Sequence, residues 1–160
     1  MLWSFYNLVK INLTQREIEH AAHHGMRRQV ESILEGYKHR GDRKHLPQEE
    51  WGNHIEAAIS EFVMCKVLNV HWSGVTEMRA VDIGYTDEVR WSPNHNYNLL
   101  LSNRDDKKKI YWLVTGYHGE YVVQGWAYGY QVLRDQYCKG TYYIYPKEKL
   151  RSVEEYYDRN

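Results

Sequence analysis

The chain has 160 residues, no net formal charge and two cysteines, Cys65 and Cys138. That length fits one domain. The charge excludes a global basic field of the kind that attracts nucleic acid, the cysteines exclude a disulfide scaffold, and no apolar run approaches the roughly 18 residues of a membrane helix. Six Trp and fifteen Tyr against two Phe place many rings at half-wet boundaries, where the polar tip finds a partner. The apolar start, MLWSFYNLVK, is too short and lacks the basic leader of a signal peptide. The expectation is a cytoplasmic protein in a reducing setting, without membrane contact.

Charge is unevenly spread. Residues 1–45 carry eight Lys/Arg against five Asp/Glu, and residues 46–146 carry nine against twelve. The organisation expected is an N-terminal helical extension over 1–45 and a core over 46–160, together forming one compact unit.

Thr14-Gln-Arg-Glu17 is a capping box that opens the first helix. Ile18, Ala22, Met26, Val30, Ile33 and Tyr37 follow at helical spacing. Residues Lys38–His45 form a polar, basic loop. Pro47 fits the first turn of a second helix, which runs to about Leu68. Its stretch Ala57–Leu68 is apolar nearly all round, so it is buried on most sides, and Cys65 is a small core residue within it.

After Asn69 the pattern changes to strands, over Met78–Ile83, Glu88–Ser92, Asn98–Ser102, Ile110–Thr115 and Tyr121–Ala127. Gly84, the cluster Asp105–Lys109 and Gly116–Gly119 supply turns. A short helix over Tyr130–Gln136 and a last strand over Thr141–Tyr145, stopped by Pro146, complete the order. Helices first and a run of strands after them make an α/β or α+β protein, with helices packed on a mixed sheet.

Three positions carry candidate chemistry. Glu61 interrupts the apolar helix, and a buried carboxylate needs a partner, a proton or a cation. Either it pairs with a cation, Arg90 being the obvious one, or it helps to hold a metal, directly or through water. In the hairpin Asp82–Arg90, side chains alternate between faces. With a loop over Ile83–Asp87, Asp82 stands opposite Glu88, and Ala80 opposite Arg90, about 5 Å apart. Two carboxylates at that distance repel, and a divalent cation between them relieves the repulsion. Magnesium takes oxygen ligands and needs only one or two carboxylates plus substrate phosphate. The other reading is a solvated face on which water and Arg90 compensate both acids.

Three lesser signals stand beside these. His20, His23 and His24 share a helix face that is either a transition-metal site or an exposed basic surface. Lys107–Lys109 either touch phosphate or form a solvated hairpin tip. Trp72 and Trp126 either stack bases or pack in the core.

A glutamate in a small-residue helix, then Asp82, then Glu88-Val-Arg90 on consecutive strands resembles the PD-(D/E)xK nuclease superfamily, the restriction-endonuclease-like fold. The likeness runs from about Glu56 to Leu150, and the chain is similar to small phage-encoded members. It is carried by Leu68–Gly74, Val81–Gly84 with Glu88–Arg90, Tyr111–Gly116, Gln124–Trp126 and Tyr142–Leu150. The resemblance implies a restriction-endonuclease-like mixed central sheet flanked by helices, and an Mg2+- or Mn2+-dependent phosphodiesterase acting on DNA in the host cytoplasm. It implies Asp82 and Glu88 as metal ligands, Glu61 as support for the metal or its water, and Arg90 at the basic position. Val81 stands where the superfamily has proline, and Arg90 where it has lysine. Arginine keeps its charge and cannot serve as a base, though it can stabilise charge on phosphate. The alternative is a catalytically inactive accessory protein on the same scaffold, gripping DNA or a host protein. Oligomeric state, a dimer included, stays open.

Overall fold

The computed structural model describes residues 8–36, 47–74, 82–84 and 86–159. The expected loop Lys38–His45, Val81 and the expected strand Met78–Ile83, save its last two residues, lie outside the described residues. Strand β1 (Val9–Asn12) leads into helix α1 (Gln15–Leu34), and α2 (Pro47–Leu68) follows. Then come β2 (Asp87–Ser92), β3 (Leu99–Ser102), β4 (Ile110–Tyr117) and β5 (Glu120–Tyr128). The chain closes with α3 (Gly129–Val132), β6 (Cys138–Lys139), β7 (Tyr142–Tyr145) and α4 (Val153–Tyr157).

The protein is mixed α/β, with a mixed sheet flanked by helices. The main sheet has the order β1-β5-β4-β2; a smaller one has the order β3-β7-β6. In the main sheet β5 runs antiparallel to β1 and β4, whereas β2 and β4 are parallel. A parallel pair needs a long crossover. Here the crossover contains β3, which leaves the main sheet to pair with β7. Asp105–Lys109 is therefore not the tip of a hairpin. It is the end of a crossover, and it returns the chain to the edge of the sheet where β2 begins.

The central strand β4 is buried on both faces, so successive side chains serve two cores. Ile110, Trp112 and Val114 join Ala58, Val63, Met64 and Cys65 of α2 on the helix side. Tyr111 and Leu113 join Leu99, Leu101, Tyr145 and Leu150 on the other. Trp72 and Trp126 both lie in the helix-side core, which settles them as packing residues. A bulge between Leu113 and Val114 is met on β5 by Gly125 at φ +134°, where an added Cβ would stand 2.4 Å from the Arg151 carbonyl oxygen. Only glycine fits a backbone in that conformation and at that approach.

Helix α1 has the expected capping box: Thr14 Oγ1 accepts from Glu17 N at 3.4 Å, and Thr14 N donates to Glu17 Oε2 at 2.8 Å. Its buried line is not the expected apolar stripe. Ala21, Gly25 and Gln29 are buried, while Met26, Val30 and Ile33 are exposed. The reason is close helix approach. A Cβ on Gly25 would stand 2.4 Å from Ile55 Cα, so small residues mark the α1–α2 contact and larger ones are turned outward. The expected helix Tyr130–Gln136 is shorter, a turn of α3 followed by a 3-10 turn at Asp135–Tyr137.

Candidate functional site

The site is built at the start of β2. Ile83 and Asp87 form an antiparallel bridge, which is the register that sets Asp82 beside Glu88. Among the described strands β2 is the outermost of its sheet, so its outward N–H groups need partners. Asp82 supplies one: its Oδ2 accepts from Val89 N at 2.7 Å. Alternation along β2 then decides the rest. Val89 enters the helix-side core, while Arg90 on the opposite face lies with its guanidinium 5.1 Å from the Tyr111 ring centroid.

Asp82 feels acids from both sides. Burial first, then the charges of Glu61 and Glu88, push its pKa well above the usual carboxylate range; the Val89 N–H and Arg90 act the other way. Asp82 thus feels the charges of the two other carboxylates named from the sequence, Glu61 on α2 and Glu88 on β2.

Each flanking acid also has a cation of its own. Glu61 is 6% exposed, and both its oxygens accept from Arg28, Oε1 from Nη1 at 2.6 Å and Oε2 from Nη2 at 2.5 Å. Its partner is Arg28 of α1, not Arg90 as the sequence suggested. Arg90 belongs to the opposite face of the sheet, out of line with α2, and its Nη2 donates to Asp105 Oδ1 at 2.8 Å. Its Nη1 stands 3.9 Å from Glu88 Oε2. The close partner of Glu88 is Lys109, whose Nζ donates to Glu88 Oε1. Asp105 is fixed in turn by Ser102 N, which donates to its Oδ2 at 2.7 Å.

Sequence reasoning missed Arg28, gave Asp105 only as part of a turn, and read Lys109 as either a phosphate contact or a solvated hairpin tip. The signal for Lys109 was topological. In a parallel β2–β4 pair both strands start at the same edge, so the residue before β4 comes beside the first residues of β2. The neighbouring Asp87 has a different task. It is 3% exposed and accepts from Trp112 Nε1 and Thr86 Oγ1, each at 2.9 Å. That leaves it as a buried anchor of the strand.

The histidine face also resolves. His24 Nδ1 lies 3.1 Å from the Gly74 carbonyl oxygen. A carbonyl only accepts, so Nδ1 carries the hydrogen and donates. The His24 ring centroid lies 4.8 Å from that of Trp72 and 5.1 Å from that of His20. Burial lowers its pKa. His24 is thus part of an aromatic cluster, with His23 exposed beside it. Cys65 is buried, and burial pushes its thiol up to about 12, so it is an inert core residue.

Among the described residues, no group of three or more His, Cys, Asp or Glu side chains is arranged to hold a metal ion. Asp82 commits one oxygen, Oδ2, to Val89 N. With Glu88 beside it, Asp82 offers the hard oxygen donors that Mg2+ or Mn2+ takes when substrate phosphate completes the shell. Glu61, gripped at both oxygens by Arg28, is not free to be a direct ligand. No protein-family model, curated protein or solved structure matches the chain.

Proposed function

We propose that this chain is a metal-dependent phosphodiesterase with a restriction-endonuclease-like core, cutting DNA. The observation that carries the reading is Asp82, set beside Glu88 by the Ile83–Asp87 bridge, with desolvation and the charges of Glu61 and Glu88 raising its pKa. Glu61 and Glu88 have their own cations, whereas Asp82 makes no salt bridge with any of the described residues, and an acid so placed is costly without a cation. Lys109 and Arg90 at Glu88 are two cations suited to a phosphodiester. Asp82 and Glu88 are the residues that would hold Mg2+ or Mn2+, which when bound polarises phosphate and lowers the pKa of water. Glu61 stays with Arg28 and supplies negative field from beneath Asp82. Arg90, held by Asp105 and by the Tyr111 face, stays charged and stabilises negative charge developing on phosphate oxygens. Lys109 is the compact amine in contact with Glu88, and lysine can yield and regain a proton where arginine cannot. It therefore supports the reading where Arg90 departs from the superfamily pattern.

The test offers purified protein single-stranded, double-stranded and branched DNA with Mg2+ or Mn2+. Cleavage of at least one, lost in Asp82→Ala, is the expected result. No cleavage of any, or equal cleavage by Asp82→Ala, overturns the reading. A second reading, a catalytically inactive phage accessory protein that binds DNA or a host protein, is favoured by the same internal pairs, since Arg28 and Lys109 already neutralise Glu61 and Glu88. Calorimetry separates the two. Mg2+ binding that disappears in Asp82→Asn or Glu88→Gln supports the enzyme.

A further inference from the structure

Three strands meet in one rung at the sheet edge that carries the candidate site: Asp87 pairs with Ile110, and Ile110 with Tyr128. Strands are spaced about 4.8 Å apart, so the end of β5 lies roughly 10 Å from the start of β2. Just past that end stands Tyr130, 49% exposed. Its ring stacks on Tyr128, with centroids 5.1 Å apart and planes 16° from parallel. The Arg151 guanidinium also lies over the Tyr128 ring, 5.3 Å from its centroid. The inner ring is thus fixed, and the outer ring is held flat against it while much of its surface faces water.

The backbone of Tyr130 is rigidly attached to charged segments, in which Asp106 and Asp135 are exposed beside the cations. Its backbone N–H donates to the Lys107 carbonyl at 2.9 Å, and Gly129 N donates to the Lys109 carbonyl at 2.8 Å. A Cβ on Gly129 would stand 2.3 Å from the Asp106 carbonyl oxygen, so the turn Asp105–Lys109 and the start of α3 are packed backbone to backbone. Arg134 Nε donates to the Tyr130 carbonyl at 3.2 Å. Lys107, Lys108 and Arg134 are exposed and make no salt bridge with any of the described residues.

We propose that Tyr130 is a stacking platform for an unpaired base of single-stranded DNA, with Lys107, Lys108 and Arg134 gripping the adjacent phosphates. A flat, supported ring among exposed cations suits that ligand: bases stack on aromatic rings whatever their identity, while the charged groups follow the backbone. In a duplex the base faces are already stacked on one another, and the ring has nothing to receive. The proposal rests on the phosphodiesterase reading, since the platform lies two strands from Glu88 and would hold the strand whose phosphate enters the site.

The experiment measures fluorescence anisotropy of a labelled oligo-dT strand and of a matched duplex, in EDTA, so that cleavage plays no part. The full chain is expected to bind the single strand more tightly than the duplex. Tyr130→Ala should weaken single-strand binding about tenfold, within the range set by loss of one base–aromatic stack, and Tyr130→Trp should restore it. Lys107→Gln with Lys108→Gln should make the salt dependence shallower, by roughly 0.7 in slope for each phosphate that is no longer neutralised. Unchanged single-strand affinity in Tyr130→Ala, preference for the duplex, or no binding to either overturns the proposal. If Tyr130 behaves as expected but no DNA is cut with metal present, only the phosphodiesterase reading fails.

Discussion

Arg28 closes both its terminal nitrogens on the two oxygens of Glu61, at 2.6 and 2.5 Å, across a sequence separation of 33 residues. The pair ties α1 to α2 at the point where α2 is most apolar. Its side chains are 15% and 8% exposed, so desolvation opposes the attraction and removal of one partner is much worse than removal of both. Arg28→Ala is expected to cost about 3–5 kcal/mol of unfolding free energy in urea titrations, because it strands a buried carboxylate. The double change Arg28→Met with Glu61→Leu should recover most of that loss. A single variant as stable as the parent contradicts a buried pair.

Lys109 meets Glu88 only because β2 and β4 are parallel and start at one edge. If it serves the reaction, Lys109→Gln lowers the cleavage rate by about 10²–10³, the usual loss when one positioned donor is removed. Lys109→Arg keeps the charge and loses the labile proton, so its rate should stay low while DNA affinity is retained. A Lys109→Gln protein that cuts at the parental rate removes this residue from the mechanism and leaves it a structural partner of Glu88.

Binding of a cation between Asp82 and Glu88 predicts a stability effect that needs no substrate. A ligand that binds only the folded state raises stability as its concentration passes its dissociation constant. Thermal unfolding with increasing Mn2+ should show a rising midpoint in the parent and a flat one in Asp82→Asn. The Asn variant is a fair control, since its side-chain oxygen can still accept from Val89 N. Equal shifts in both proteins mean that the ion binds elsewhere.

His24 gives the fold a sensitivity to acid. Burial lowers its pKa, the Gly74 carbonyl acts the other way, and the charges of His20, Arg27 and Arg28 add to the lowering. A histidine with a folded pKa below its unfolded value takes up its proton first in the unfolded chain. It therefore contributes nothing above about pH 6.5 and destabilises the fold progressively as pH falls from there through its lowered folded value. Urea midpoints of the parent should drop over that window, and His24→Phe, which cannot titrate, should show a shallower fall. Parallel pH profiles would place the acid sensitivity in other groups.

The sequence by itself determined the elements whose signals are local. Thr14 and Glu17 announce the first helix by a capping box that needs only four residues. The aromatic and β-branched runs Ile110–Thr115 and Tyr121–Ala127 mark β4 and β5 to within a few residues of their ends. A loop over Ile83–Asp87 is what spacing allowed, and the Ile83–Asp87 bridge gives the register that sets Asp82 opposite Glu88. Even the buried Glu61 was legible, because one acid in an apolar helix is a local contradiction.

What only the tertiary structure decided is which distant groups answer these. The strand β1 pairs with β5 over a gap of more than a hundred residues, and its short alternation, Val9-Lys10-Ile11-Asn12, cannot name so distant a partner. Helical spacing marked α1 but not its buried line, because close helix packing selects Ala21 and Gly25, which a hydrophobicity pattern undervalues. Whether Lys109 lay at a hairpin tip or beside Glu88 depended on β3 leaving for a second sheet, a choice between two pairings that no single strand records. Arg28, Lys109 and Asp105 reach their charged partners through long-range pairings, and those pairings decide which carboxylate is neutralised and which, Asp82, is left with its pKa raised.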